Sequence, residues 1–188
     1  MTVGFSVCGS FCSHAKALGV LRELVGAGYR VVPILSFNAA QTDTRFGRAS
    51  DLLLEIESLC GRKAILSIEE AEPLGPKTPL DAMLICPCTG NTLAKLAGGI
   101  TDTPVTMAAK AHLRADRPLV IALASNDALS ANLANIGTLL NRKNVYFVPM
   151  REDDPAGKPH SLVADFSRSS DALRAAIDGR QLHPIFST

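Results

Sequence analysis

A chain of 188 residues, 47% apolar and 20% charged, has the composition of one globular domain spanning residues 1–188 with a substantial core. A net charge of +1 argues against DNA or an anionic membrane surface as a partner. Two Tyr and no Trp argue against base-stacking recognition of nucleic acid.

The first apolar, β-branched run covers residues 3–8 and reads as a strand. Residues 15–27 follow with helical spacing of Leu18, Leu21, Leu24 and Val25, and Gly26 and Gly28 mark the helix end. Residues 30–35 form a second strand ending at Ser36, and 37–50 is a polar, irregular stretch. A helix over 51–59 is expected to be capped by Ser50 and closed by Gly61, followed by a short strand at 64–66 and a helical turn at 68–71. Residues 73–79 contain three prolines and read as a loop.

A buried strand over 80–86 then runs through Pro87 into a small polar turn, and a helix begins at about Thr89 and ends near Ala97. Thr103 starts a helix over 104–113, with Pro104 at the position helix starts favour. Residues 118–124 give the most continuous strand, ending in Ser125-Asn126-Asp127 before a helix at about 128–141. A strand at 144–148, a charged loop at 152–160 and a helix at 167–177 complete the chain.

Near-continuous apolar strands alternating with helices imply an α/β fold: three layers, Rossmann-like, around a mostly parallel sheet of about six strands. In such sheets ligands sit beyond the carboxyl ends of the strands. Four of those ends here carry small polar residues. The turn Gly9-Ser10-Phe11-Cys12-Ser13 lacks the glycine pattern that lets a pyrophosphate approach. Its hydroxyls suit a phosphate monoester, or Ser13 simply caps the helix. The turn Thr89-Gly90-Asn91-Thr92 has the same two readings, and Asn91 can both donate to and accept from a ligand. Arg45, in the polar loop beyond the second strand, can grip a carboxylate with two prongs or be merely solvated.

Five cysteines form an odd set without framework spacing, as expected of reduced thiols in the cytoplasm. Cys86 and Cys88 face the same way if their strand continues through Pro87. Even so, with Cys8, Cys12 and His14 nearby, the spacing matches no standard metal site. His112 reads as a surface residue of its helix. No apolar run reaches the roughly 20 residues of a membrane helix, and the N-terminus lacks a secretion-signal pattern. No residue presents itself as catalytic by spacing.

The segment Pro87-Cys88-Thr89-Gly90-Asn91-Thr92-Leu93-Ala94-Lys95-Leu96-Ala97-Gly98-Gly99-Ile100-Thr101-Asp102 resembles the Pro-Ala-Ser-Ala-Asn-Thr region of the flavin-dependent cysteine decarboxylase superfamily. Within that superfamily the chain is most similar to the dipicolinate synthase B-subunit group. Thr44-Arg45-Phe46-Gly47, Thr103-Pro104-Val105-Thr106-Met107 and Ser125-Asn126-Asp127-Ala128-Leu129 carry this closer likeness.

The resemblance implies a cytoplasmic FMN-binding homo-oligomer, a trimer or a multiple of trimers. It also implies work with a nicotinamide-binding (NAD(P)) A subunit on a small dicarboxylate during sporulation. By position, Gly9, Ser10, Ser36, Thr89, Asn91 and Thr92 would surround the FMN phosphate and ribityl chain, with Ser125 and Asn126 flanking the flavin and Arg45 binding substrate. Two alternatives stay open: a stand-alone FMN-dependent decarboxylase or prenyltransferase-like enzyme, and, from a different class, a non-catalytic scaffold that organises the A subunit. The decarboxylases' histidine base and Pro-x-Met-Asn-x-x-Met-Trp clamp have no counterpart here: no histidine lies between His14 and His112, and the clamp position reads Ala124-Ser125-Asn126-Asp127.

Overall fold

The structure, a computed structural model, describes residues 1–75 and 77–187. Seven strands form one sheet: β1 (Thr2–Val7), β2 (Arg30–Leu35), β3 (Ala82–Cys88), β4 (Leu119–Ser125), β5 (Val145–Phe147), β6 (Met150–Glu152) and β7 (Leu162–Ala164). The order is β2-β1-β3-β4-β7-β6. Strand β5 runs parallel beside the first half of β4, while β7 pairs antiparallel with its last two residues. The first four strands are parallel neighbours.

Alternation along the strands divides the core in two, because successive side chains point to opposite faces. Phe5, Leu84 and Val120 face one layer, built by α1 (His14–Gly26), α3 (Ala49–Cys60) and α8 (Ser169–Ile177). Met83, Ile85 and Ile121 face the other, built by α5 (Gly90–Gly98), α6 (Pro104–Leu113) and α7 (Leu133–Leu140). Strands buried on both sides explain the unbroken apolar runs. The expected three-layer, mostly parallel architecture is the one found, with one strand more than six.

The differences lie where local signals compete. A short helix α2 (Phe37–Gln41) begins the stretch expected to be irregular, because the Ser36 hydroxyl accepts from Ala39 N–H and caps it. Helix α3 starts two residues before Asp51, and Ser50 is inside it. The first N–H, from Ala49, is taken by the Asp43 carboxylate at 2.9 Å. Gly61 closes α3, and Gly99 closes α5, each in the left-handed region that glycine enters without strain.

Residues 64–66 form a single bridge, Ile34 to Ile65, instead of a strand. The turn α4 (Ile68–Ala71) is fastened by a capping box of Ser67 and Glu70 and runs into a 3₁₀ turn, Glu72–Leu74, at the start of the expected loop. Pro76, in the middle of that loop, lies outside the described residues. The helix expected over 128–141 begins only at Leu133, since Asp127 and Asn132 tie the preceding residues into turns. The two short strands that flank the charged loop were not legible at three residues each.

Strand β3 does extend through Pro87, but its register against β4 shifts between Ile85 and Cys88. Cys86 therefore packs in one core layer and Cys88 in the other, not side by side. His112 is fully buried, its Nε2 at 2.9 Å from the Pro118 carbonyl, which corrects the surface expectation. Among the described residues, no helix is long and apolar enough to cross a membrane.

Candidate functional site

Winding reverses between β1 and β3: β1 leads through α1 to β2 on one side, and β3 leads through α5 and α6 to β4 on the other. The turns after the two central strands cannot cross, so they part and leave a crevice at their carboxyl ends. Cys8 N–H donates to the Pro87 carbonyl at 3.1 Å, holding the two strand ends together up to the rim.

The first turn folds on itself. Ser10 N–H donates to the Cys8 carbonyl at 2.9 Å, and Ser13 N–H donates to the Ser10 carbonyl at 2.9 Å. The Ser13 hydroxyl does not cap α1; it accepts from the Ser10 hydroxyl at 3.2 Å. His14 reaches back with Nε2 to the Cys8 carbonyl at 2.9 Å. A carbonyl only accepts, so Nε2 carries the proton. Burial holds the His14 imidazole below the usual 6.5, with the carbonyl opposing part of that shift.

The second turn opens α5. Thr89 caps it, its hydroxyl accepting from Thr92 N–H at 3.3 Å. Among the described residues this leaves the Gly90 and Asn91 N–H groups without a hydrogen-bond partner, at the positive end of the helix. The Thr92 hydroxyl points inward and meets Cys8 Sγ at 3.4 Å. Burial pushes the Cys8 thiol up to about 11, which keeps it protonated at neutral pH.

A third turn, after β4, brings Ser125, Asn126 and Asp127 alongside. Ser125 Oγ donates to Asp127 Oδ1 at 2.5 Å, and Asn132 Nδ2 donates to Oδ2 at 2.9 Å. The Ser125 bond foremost, then the Asn132 bond, holds the Asp127 carboxyl below the usual carboxylate range against a desolvation that opposes it. This group packs directly on Gly90. A Cβ there would meet the Ser125 hydroxyl, Asn132 Nδ2 at 2.7 Å and Asp127 Oδ1 at 2.8 Å, distances that real Cβ atoms do not show.

Together the three turns enclose a cleft of about 630 Å³. Six of the eight residues expected around a cofactor line it: Gly9, Ser10, Thr89, Asn91, Ser125 and Asn126. Thr92 and Ser36 sit behind the lining, Thr92 bridging to Cys8 and Ser36 capping α2. Arg45 is exposed and is not part of the lining. Its guanidinium lies 4.9 Å over the ring of Phe46, which is.

The cleft also holds residues that the sequence did not single out. Lys16 comes from α1, Ser161 from the edge of β7, and Lys158 from the charged loop with Asp153 bound at 2.9 Å. Lys158 and Asp153 stand in a loop without periodicity, so only its charged composition marked them. Asp127 sits two residues after Ser125 in a turn-forming pattern, and that spacing was the available signal.

The flavoprotein family model matches residues 1–169. The chain belongs to the flavoprotein family. Over 97% of its length it is 45% identical to the B subunit of dipicolinate synthase from Bacillus subtilis strain 168, 92% of which it covers. It is also similar to the crystal structure of the corresponding B subunit from Bacillus halodurans C, with a TM-score of 0.91 and 41% identity, covering 100% of this chain and 96% of that one. An FMN-dependent cysteine decarboxylase, SpaF, matches at a TM-score of 0.65 and 27% identity, over 94% of this chain and 97% of that one. The likeness read from scattered segments therefore extends along nearly the whole chain.

Proposed function

We propose that this chain is the FMN-binding subunit of a dipicolinate synthase. In this reading it acts with a nicotinamide-dependent A subunit to convert a dihydrodipicolinate-type precursor to dipicolinate during sporulation, in the cytoplasm. One observation carries the cofactor half: two helix-initiating turns meet at the reversal of the sheet and present hydroxyls and unpartnered N–H groups to one cleft. The unpartnered N–H groups of the α5 start, with hydroxyls beside them that can turn from their Ser13 and Thr92 partners, fit a phosphate monoester. Gly90 fits it too, because its missing Cβ leaves room for the turn from β4 to close on the helix start. The similarity to dipicolinate synthase B subunits supports the assignment of pathway.

The chain's own residues would bind and orient. Ser10, Thr89 and the Gly90 and Asn91 N–H groups would hold the phosphate, with Gly9 allowing close approach and Ser36 and Thr92 supporting the turns from behind. Ser125 and Asn126 would flank the ring system. Bound FMN would supply a two-electron acceptor. Arg45, stacked on Phe46 at the rim, would pair with a substrate carboxylate. Exposed Phe46, which lines the cleft, supports assembly with further copies, and the proposed assembly is a trimer or a multiple of trimers.

Co-expression with a nicotinamide-dependent partner tests the reading. A stable complex that makes dipicolinate, with neither chain sufficient alone, is the expected outcome. Turnover by this chain alone would point to a stand-alone enzyme. Full activity without flavin would leave it a scaffold.

A further inference from the structure

A second groove lies at the other end of the sheet. It has a volume of about 430 Å³ and is walled by the first residues of β1 and β2, by the turn after α3 and by the loop that leads into β3. The cleft stands at the carboxyl ends of the same strands, and no residue lines both. A six-residue strand rises about 3.3 Å per residue, so about 20 Å of sheet separates the two.

Three cations from three separate segments line this groove: Arg30 where β2 begins, Arg62 in the turn after α3, and Lys77 in the loop. Among the described residues none of the three forms an ion pair. One carboxylate is present, that of Glu70. Its Oε2 accepts from the Leu66 and Ser67 N–H groups at 3.0 and 3.2 Å and is occupied in fastening the start of α4. Three positive charges against one negative leave the groove positive. Its floor is aliphatic, with Val32, Leu74 and Leu80 buried beneath it.

The loop that carries Lys77 is held from two sides. The Pro73 carbonyl accepts from the Lys77 and Thr78 N–H groups at 3.3 and 3.0 Å and from the Thr78 hydroxyl at 3.1 Å. A Cβ on Gly75 would collide with the Ala111 carbonyl of α6, so the backbone is pressed onto that helix. The wall is therefore preformed, which lowers the cost of binding.

Arginine's planar fork matches the two oxygens of a carboxylate, and the lysine adds a third charge. An inorganic anion would use the cations and leave the aliphatic floor uncovered. A ligand that uses both carries its charges at the edges of an apolar body. We propose that this groove is a second ligand site, built for a small dicarboxylate whose two carboxylates flank an apolar ring or chain. The proposal does not depend on the FMN reading, because no residue assigned to the flavin takes part.

Isothermal titration calorimetry of the full chain with benzene-1,3-dicarboxylate, benzoate and inorganic phosphate tests it. The dicarboxylate should bind at one site per chain. Benzoate and phosphate should each bind roughly tenfold or more weakly, one lacking a carboxylate and the other the apolar body. Arg30→Gln, Arg62→Gln and Lys77→Gln should each weaken the dicarboxylate by roughly three- to tenfold, and added salt should weaken it in the natural chain. Arg45→Gln, at the rim of the cleft, should leave it unchanged.

Phosphate as tight as the dicarboxylate would overturn the ligand class. A loss with Arg45→Gln and none with the three groove variants would overturn the site by placing the dicarboxylate at the cleft. The absence of any heat or melting-temperature shift up to about 10 mM dicarboxylate would overturn the proposal outright. All three cations are exposed, and melting temperatures check that each variant folds; should one fail, the other two still decide. Flavin titration of the same samples keeps the two readings apart. A chain that binds the dicarboxylate and no flavin refutes the FMN reading alone, and one that binds flavin and no dicarboxylate refutes this proposal alone.

Discussion

Gly90→Ala adds one methyl group at the tightest point of the cleft, and the cost can be worked from its surroundings. The new Cβ would lie 2.7 Å from Asn132 Nδ2 and 2.8 Å from Asp127 Oδ1, with the Ser125 hydroxyl nearer still. None of these can stay in place. Overpacking of this kind costs about 1–3 kcal/mol, and displacing Ser125 or Asn132 from Asp127 gives up a hydrogen bond of about 1 kcal/mol. Alanine's helix preference returns at most about 1 kcal/mol, and less in the first turn than in the interior. A net loss of about 1–3 kcal/mol results. For a chain of 188 residues, each kcal/mol moves the melting temperature by about 2–4 °C, so a drop of about 2–12 °C is expected. Flavin affinity should fall with it.

Gly19→Ala provides the internal control. Gly19 lies within α1 with nothing within 4 Å of its added Cβ, so the same chemical change should raise the melting temperature by a few degrees. Thermal unfolding followed by circular dichroism, with flavin titration on the same samples, measures both. A Gly90→Ala protein that melts at or above the natural temperature and binds flavin normally would refute the packing argument.

Asn91→Asp should weaken FMN about tenfold or more through repulsion of the phosphate, weaken riboflavin little, and leave the melting temperature unchanged or slightly raised, because a carboxylate suits a helix start. Parallel titration of the two flavins checks it. His14 and His112 are both held below 6.5 by burial, so the unfolded chain binds protons that the fold refuses. Stability is complete above pH 6.5 and declines as pH falls through that value, for His112 by at most about 1.4 kcal/mol per pH unit. Denaturant melts from pH 8 to 5 should show the decline, and His112→Gln should flatten it. Of the five thiols only Cys12 is exposed; Cys8, Cys86 and Cys88 are buried and Cys60 half-buried, and desolvation raises all four. A thiol reagent at neutral pH should therefore modify one cysteine quickly and the rest only on unfolding, and Cys12→Ser should abolish the fast phase.

The parts of this fold that sequence revealed are those with a strong period or a strong stop. Strands such as Leu119–Ser125 are apolar throughout because both faces are covered, and Thr103-Pro104 announces its helix to the residue. Ser36 and Thr89 were legible as polar residues at strand ends, though not that Ser36 would cap a short helix and lie outside the cleft lining. Three-residue strands such as Leu162–Ala164 carry no period to detect. His112 looked like a surface residue because the carbonyl that receives it, Pro118, becomes its neighbour only when α6 packs on the sheet. The Cys86 and Cys88 directions depended on a register shift in pairing with β4, which belongs to two strands and is written in neither. The Asp127 network is of the same kind: its partners are the last residue of β4, Ser125, and the cap of α7, Asn132, and its consequence falls on Gly90, far away in sequence.

The central claim is that this cleft holds FMN, and the visible spectrum of the purified chain tests it most directly. The expected result is flavin absorption that survives desalting, or that returns at one FMN per chain when the cofactor is added back and is lost in Asn91→Asp. A colourless protein whose spectrum and melting temperature ignore added FMN would contradict it.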